Sequence, residues 1–178
     1  MNLKIITELR QKAKNIDIKI HLGNEIYIDL EIAKYLRNRK ITPLANSKYL
    51  LIELPMTGEF NQYEDIFLSL QNNGWQVILA HPERYQSFQS NFNKVIEMKQ
   101  QGVLLQCNLG SFIGQYGKHA KKTAQKIAKE HLIFCFGTDI HRERDYNEIK
   151  KAQKKLLKYY SETELIELLV ANPQKIVQ

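Results

Sequence analysis

Short apolar runs recur along the chain, and each of them ends in polar residues. The alternating run at 16–20 and the apolar runs after it predict strands at 16–20, 49–54, 75–80, 103–108 and 132–137. Apolar residues at helical spacing predict helices at 3–14, 30–38, 61–72, 91–101, 117–131, 145–158 and 161–171. Repeated strand–helix units of this length are typical of a parallel sheet with helices outside it.

Start and stop signals support several of these helix boundaries. Gly74 and Gly102 directly follow two predicted helices, where a glycine commonly ends a helix. Ser161 followed three residues later by Glu164 is a capping-box pattern, which predicts the start of the last helix.

The number of strands limits the fold class. Five strong strands are fewer than the roughly eight that a closed barrel uses. We therefore expect an α/β fold, a distorted and incomplete TIM-like βα barrel with parallel strands and outer helices. The chain has no linker rich in Gly, Pro or Ser, so residues 1–178 are expected to form a single domain.

Composition and charge limit the classes of protein and of partner that we expect. No apolar run approaches the roughly 20 residues of a membrane span, and the N-terminal sequence has no signal-peptide pattern, so we expect a soluble cytoplasmic protein. Nucleic-acid binding is one explanation of the net charge of +7. However, the lysines are spread over predicted helices, as on solvated helix faces, so we expect no nucleic-acid partner. A mildly basic field would also attract an anionic substrate such as a phosphate ester.

Both cysteines lie inside predicted strands. Cys107 and Cys135 are therefore expected to be buried thiols outside any disulfide. Cysteine-dependent phosphatases carry an arginine six residues after the nucleophile, but Ile113 and His141 stand at those positions. The sequence thus argues against thiol chemistry.

The sharpest short motif is Asp139-x-His141, after the last predicted strand. In an extended segment these two side chains would point the same way, so a carboxylate and an imidazole would face one cavity. Both are ordinary ligands for Mn, Fe or Zn. The alternative is a capping Asp and a surface His.

A second polar group follows the strand at 75–80. Pro82 is expected to keep His81 extended, which would leave its ring at the strand end as a metal ligand, a general acid–base or a plain loop residue. Arg84 has a planar guanidinium group, which can donate two parallel hydrogen bonds to a phosphate. Glu83 is expected to orient one of these two side chains.

Other strand ends carry further candidates. Glu25 is placed in a loop after the first strand, where a carboxylate bridging two metals would fit; the alternative is an exposed loop acid. Glu53 interrupts an apolar strand end and needs a partner if buried. The stretch from Asn108 to Ser111 is expected to bind an oxyanion or to form an N-cap turn. Three histidines have no comparable setting and are left out of the site: His21, His119 and His131.

Taken together, these segments resemble the bacterial PHP-domain tyrosine-protein phosphatases of capsular and exopolysaccharide operons. The resemblance is carried by GNEIYID (23–29), KYLLIELP (48–55), VILAHPERY (77–85), CNLGSFIGQYGK (107–118) and FGTDIH (136–141). It implies a partly open βα barrel that holds two or three Mn²⁺-type ions, with a phosphotyrosine protein, a polysaccharide-export tyrosine kinase, as substrate.

The resemblance also assigns roles to individual residues. Glu25 resembles the bridging carboxylate, and His81, Asp139 and His141 resemble metal ligands. Arg84 resembles the phosphate-contacting arginine. A further family arginine follows the D-x-H motif, and Arg144 is the candidate for it here. His81 or His141 is the expected proton donor to the leaving phenolate.

The chain departs from the family pattern at its start. Neither the D-x-H-C-H segment nor the T-P-H segment is present, so the domain is expected to be N-terminally truncated relative to the family. A non-catalytic kinase-binding module is therefore the alternative function, and an exposed sheet edge would favour a homo-oligomer. A PHP-type phosphoesterase acting on a small phosphate is a third interpretation.

Overall fold

The strands form one parallel sheet in chain order. The computed structural model describes residues 2–28, 31–37, 41–141 and 146–178. Within these ranges the sheet runs β1-β2-β3-β4-β5 with every neighbouring pair parallel. Its strands are β1 (Glu25–Tyr27), β2 (Tyr49–Glu53), β3 (Gln76–Ala80), β4 (Leu104–Asn108) and β5 (Cys135–Gly137).

Helices connect and flank these strands. They are α1 (Asn2–Lys12), α2 (Ile32–Arg37), α3 (Glu64–Asn72), α4 (Gln86–Ser90), α5 (Asn93–Gln100), α6 (Leu109–Ile113), α7 (Gly117–Lys129), α8 (Tyr146–Leu156), α9 (Glu162–Ile166) and α10 (Asn172–Val177). A π-helical turn, Glu167–Ala171, joins α9 to α10, and short 3₁₀ turns occur at Leu44–Asn46, Asn61–Tyr63 and Pro82–Arg84.

The core lies on both faces of the sheet. In β3, the four residues from Val77 to Ala80 are all buried, as in a parallel strand covered on both sides. Cross-strand partners such as Ile52 with Leu79 continue this apolar layer into β2. The carboxyl ends of the strands thus meet at one rim of the sheet, where active sites of βα folds are built.

The strand predicted at 16–20 is wrong. Ile16 and Ile18 are 63% and 59% exposed, and the segment has no regular secondary structure. An alternating pattern forms a strand only where a neighbouring strand takes its hydrogen bonds and a core covers one face. The first strand is β1, so Glu25 begins a strand and does not sit in a loop after one.

Most helix predictions are confirmed, with shifted ends. Gly74 and Gly102 adopt φ of +85° and +81° at the ends of α3 and α5, the left-handed conformation that glycine tolerates best. The capping box is present: the Ser161 hydroxyl accepts from the Glu164 N–H, and the Glu164 carboxylate accepts from the Ser161 N–H. The short helices α4, α6 and α10 were not predicted.

The sheet is open. Among the described residues β1 and β5 are its two edges, which confirms the expected incomplete barrel. None of the described helices combines the length and the apolar character needed to cross a membrane.

Candidate functional site

Two carboxylates converge on the His81 imidazole at the rim of the sheet. His81 Nε2 lies 3.1 Å from Glu25 Oε1 and 3.4 Å from Glu53 Oε1. Glu53 is the last residue of β2, and His81 directly follows β3. The histidine side chain is 3% exposed, whereas the two carboxylates are 38% and 28% exposed. The carboxylates therefore form the solvent-facing side of this group.

The His81 backbone is left-handed, with φ 34° and ψ 56°. The expected extended conformation is therefore wrong. Pro82 disfavours the right-handed helical region for the residue before it, and the Arg84 N–H donates to the His81 carbonyl at 2.9 Å to close the turn. A left-handed non-glycine residue stores roughly 1 kcal/mol or more of strain, and such residues cluster at functional sites.

The side chains around Glu25 lower the pKa of its carboxyl group. The hydrogen bond with His81 lowers the pKa of the Glu25 carboxyl more than burial raises it, and the charges of His81, Arg84 and His141 lower it further. Glu25 is thus held ionised, the state in which a carboxylate binds a cation.

The convergent group fits a divalent metal ion. One ligand atom from each of Glu25, Glu53 and His81 lies within 4.8 Å of the others. Two carboxylate oxygens and one imidazole nitrogen are a donor set suited to Mn, Fe or Zn. His81 Nδ1 is buried without a hydrogen-bond partner in the described part of the chain, so the ring is oriented through Nε2 and the carboxylates.

A second network surrounds the Asp139 carboxylate. Its Oδ2 accepts hydrogen bonds from Arg84 Nη1 at 2.8 Å, Asn108 Nδ2 at 3.0 Å and the Tyr116 hydroxyl at 3.3 Å. The Arg84 guanidinium carbon also lies 4.5 Å from the centre of the Tyr116 ring. Burial and then the charge of Asp139 raise the pKa of Tyr116 to about 12, so its hydroxyl stays a donor. Arg84 is therefore held by a carboxylate and by an aromatic face.

The backbone around the D-x-H motif is not extended. Asp139 has φ +49°, so the alternation that was expected to aim both side chains the same way does not apply. The Asp139 side chain is 13% exposed, whereas that of His141 is 80% exposed. His141 Nδ1 lies 3.0 Å from the Asp139 carbonyl oxygen. Within the described ranges, neither residue belongs to the convergent group of Glu25, Glu53 and His81. Arg144 lies outside the described residues.

Glu83 has a different role from the one expected. It is fully buried, and its Oε1 accepts from the Asn108 N–H at 2.9 Å and from the Ser111 hydroxyl at 2.6 Å. It therefore connects the Pro82–Arg84 turn to the end of β4 and to α6. Among the described residues, its carboxylate makes no hydrogen bond that orients His81 or Arg84. Burial raises the pKa of its carboxyl.

Those hydrogen bonds also correct the expectations for the Asn108–Ser111 stretch. The Ser111 hydroxyl is engaged by a buried carboxylate of the chain itself, which excludes the oxyanion role expected for it. Asn108 stands at the N-cap position of α6 but makes no side-chain cap bond. Its Nδ2 donates to Asp139, and its Oδ1 has no hydrogen-bond partner among the described residues.

Two site residues were not assigned from the sequence. Glu53 had a visible signal, an acid at the end of an apolar strand, but its partners lie on other strands. Tyr116 follows α6 with no local pattern that marks it.

A family model described as "Capsular polysaccharide synthesis, CpsB/CapC" matches residues 2–178. The chain belongs to the CpsB/CapC family. The resemblance drawn from the sequence is thereby confirmed.

Relatives of known name extend the match. CapC of Staphylococcus aureus is 30% identical over 165 residues, which are 89% of this chain and 64% of CapC. Tyrosine-protein phosphatase YwqE of Bacillus subtilis is 30% identical over 142 residues, which are 79% of this chain and 56% of YwqE. The chain thus spans less than two thirds of the length of these two relatives.

The fold of the CpsB/CapC family is shared as well. One chain from the crystal structures of YwqE from Bacillus subtilis and CpsB from Streptococcus pneumoniae, described as metal-dependent tyrosine phosphatases, matches with a TM-score of 0.85 and 26% sequence identity. The match covers 96% of this chain and 70% of the solved chain.

Proposed function

We propose that the chain is a metal-dependent protein-tyrosine phosphatase. One observation carries the proposal: Glu25, Glu53 and His81 bring an O,O,N ligand set together at the rim of a βα sheet, beside an arginine that is suited to a phosphate. Membership of the CpsB/CapC family supports the same activity, because its relatives include metal-dependent tyrosine phosphatases.

The proposed metal is Mn²⁺, held first by Glu25, Glu53 and His81. Asp139 is proposed as a ligand of a further ion through Oδ1, the oxygen that Arg84, Asn108 and Tyr116 do not use. When bound, a divalent ion lowers the pKa of a coordinated water and so supplies a nucleophile at neutral pH.

The residues of the chain position the ester and its leaving group. Arg84 is proposed to bind two phosphoryl oxygens with its fork, while Asp139 and Tyr116 keep the guanidinium in place. Arg144 is proposed as a second phosphate contact. His141 was predicted as a ligand, but its ring is largely in solvent and its Nδ1 faces a carbonyl. We assign His141 the alternative role of protonating the phenolate oxygen as the phosphorus–oxygen bond breaks.

The substrate is proposed to be a phosphotyrosine-bearing tyrosine kinase of polysaccharide export in the cytoplasm. The family description, capsular polysaccharide synthesis, supports this choice. Residues 1–178 are proposed to act as one domain, since the strands of one sheet supply the metal ligands.

Mn²⁺ binding and hydrolysis test the proposal together. Isothermal titration with Mn²⁺ should give a saturable site in the unaltered protein, and Glu53→Gln should weaken it by at least about tenfold, since even changes to the partners of metal ligands cost that much. Glu130→Gln is the matched control, because Glu130 is an exposed acid that directly follows α7, away from the carboxyl ends of the strands.

Hydrolysis of p-nitrophenyl phosphate should require added Mn²⁺ and stop on chelation with EDTA. Activity that persists under chelation would contradict the proposal. Absence of both Mn²⁺ binding and turnover would support the non-catalytic kinase-binding module instead.

A further inference from the structure

A cavity of about 390 Å³ opens beside the proposed phosphate-binding arginine. Its lining includes Arg84, Tyr116, Lys118 and His119, with Met56 on its apolar side. We call it the Arg84–Lys118 cavity. A volume of this size lies in the range of small-ligand pockets, which start at about 300 Å³, so it has room for a side chain of a bound polypeptide.

The ionisable side chains that line this cavity are mostly basic. Among the residues that the structure describes, Arg84, Lys118 and His119 are the ionisable residues that line it apart from Tyr116, and none of the lining residues is an acid. Lys118 and His119 are exposed and make no hydrogen bond or ion pair with any described residue. Their side chains are therefore available to an anion. The carboxylate that pairs with Arg84 is that of Asp139, which does not line the cavity.

The backbone adds to this field. Lys118 and His119 lie in the first turn of α7, a thirteen-residue helix without a side-chain N-cap bond. Free N–H groups and the helix dipole favour negative charge at such an end. The helix end thus reinforces a cavity that is already cationic through its side chains.

Arg84 joins the cavity to the proposed active site. Its Nη1 donates to Asp139 at the rim, and the same side chain lines the cavity. The Tyr116 ring lies 4.5 Å from its guanidinium carbon and also lines the cavity. A polypeptide whose phosphotyrosine is held by Arg84 therefore brings a neighbouring residue to the cavity.

From this arrangement, and resting on the proposed function, we propose that the Arg84–Lys118 cavity binds the carboxylate of an Asp or Glu that neighbours the phosphotyrosine in the substrate. It is a subsite for acidic polypeptides. A small aryl phosphate such as p-nitrophenyl phosphate has no group that reaches the Arg84–Lys118 cavity. Lys118 and His119 then determine specificity and take no part in the chemistry.

Two matched phosphotyrosine peptides test the proposal, one with Glu on both sides of the phosphotyrosine and one with Gln. The unaltered protein with Mn²⁺ should show a kcat/KM for the Glu peptide about fivefold higher, the gain of one partly exposed charge pair with Lys118 and one hydrogen bond with His119. The double variant Lys118→Ala, His119→Ala should remove this preference and leave kcat/KM for p-nitrophenyl phosphate unchanged. Lys129→Ala removes a lysine from the other end of α7 and should keep the preference.

The outcomes separate this proposal from the proposed function. Equal rates for both peptides, or a preference lost equally in Lys129→Ala, would overturn the subsite, because the second result would indicate only the diffuse charge of the protein. Failure to hydrolyse p-nitrophenyl phosphate would overturn the proposed function. In that case fluorescence anisotropy with the same labelled peptides still tests the subsite, since tighter binding of the Glu peptide must depend on Lys118 and His119.

Discussion

The Ser111 hydroxyl donates a 2.6 Å hydrogen bond to the Glu83 carboxylate, and both residues are fully buried. Glu83 Oε2 has no hydrogen-bond partner among the described residues. Two donors on a single oxygen therefore stabilise this carboxyl group inside the core, between the turn that carries His81 and Arg84 and the start of α6. We expect the geometry of the proposed site to depend on this buried contact.

Removing the Ser111 donor should destabilise the fold. We expect Ser111→Ala to lower the free energy of unfolding by about 1 to 3 kcal/mol, the cost of a buried acceptor that loses a partner. Urea denaturation followed by circular dichroism measures it. Ser90→Ala is the control, because Ser90 is exposed and bonds only a local carbonyl, and its change should stay within about 0.5 kcal/mol. Equal losses in both variants would contradict the assignment.

The Tyr116 ring should matter more than its hydroxyl. Tyr116→Phe keeps the ring over Arg84, and Asp139 retains the shorter bonds from Arg84 and Asn108. Tyr116→Ala removes the cation–π contact, which is worth roughly 1 kcal/mol at a partly exposed site. With Mn²⁺ present, we expect KM for p-nitrophenyl phosphate to rise about fivefold in Tyr116→Ala and less than about twofold in Tyr116→Phe. A similar rise in both variants would show that the hydroxyl dominates.

The two thiols should resist modification in the folded protein. Cys107 and Cys135 are buried and free of a disulfide, as the sequence predicts. Burial raises the pKa of Cys107 well above its usual range and that of Cys135 to about 12, and thiolates are the reactive form. Titration with a disulfide reagent should therefore detect both thiols in denaturant and neither in native buffer on the timescale of minutes. Rapid native reaction of either thiol would contradict this burial.

The capping box should make stability depend on pH. Hydrogen bonds from the Ser161 N–H and hydroxyl lower the pKa of Glu164. A lowered folded pKa means that its contribution is fully present above the unfolded value, near 4.3, and is lost as the pH falls through the lowered folded value. The stability difference between the unaltered protein and Glu164→Gln should thus be larger at pH 7 than at pH 3 in urea titrations. Glu162→Gln changes the same charge without those bonds, and a matching pH effect there would count against the cap.

Local sequence patterns determined four of the five strands, most of the helices, the helix ends at Gly74 and Gly102, and the cap at Ser161. These features depend on residues within one or two turns of each other, so their periodicity and capping chemistry are visible in the sequence. The burial of both cysteines follows for the same reason. The strand prediction at 16–20 was wrong because the local sequence does not show whether a neighbouring strand is present.

The tertiary structure alone decided which polar residues meet. Glu25 and Glu53 lie in two different strands and His81 directly follows a third, and the order and register of the sheet bring them within reach of one ion. The left-handed backbone at His81 and Asp139 redirects side chains that a strand pattern would have aimed elsewhere. Arg84 bonds Asp139 across 55 positions of the chain. Contacts between residues so far apart in sequence depend on how the strands pack, because the spacing of two residues along the chain does not determine their distance across the sheet.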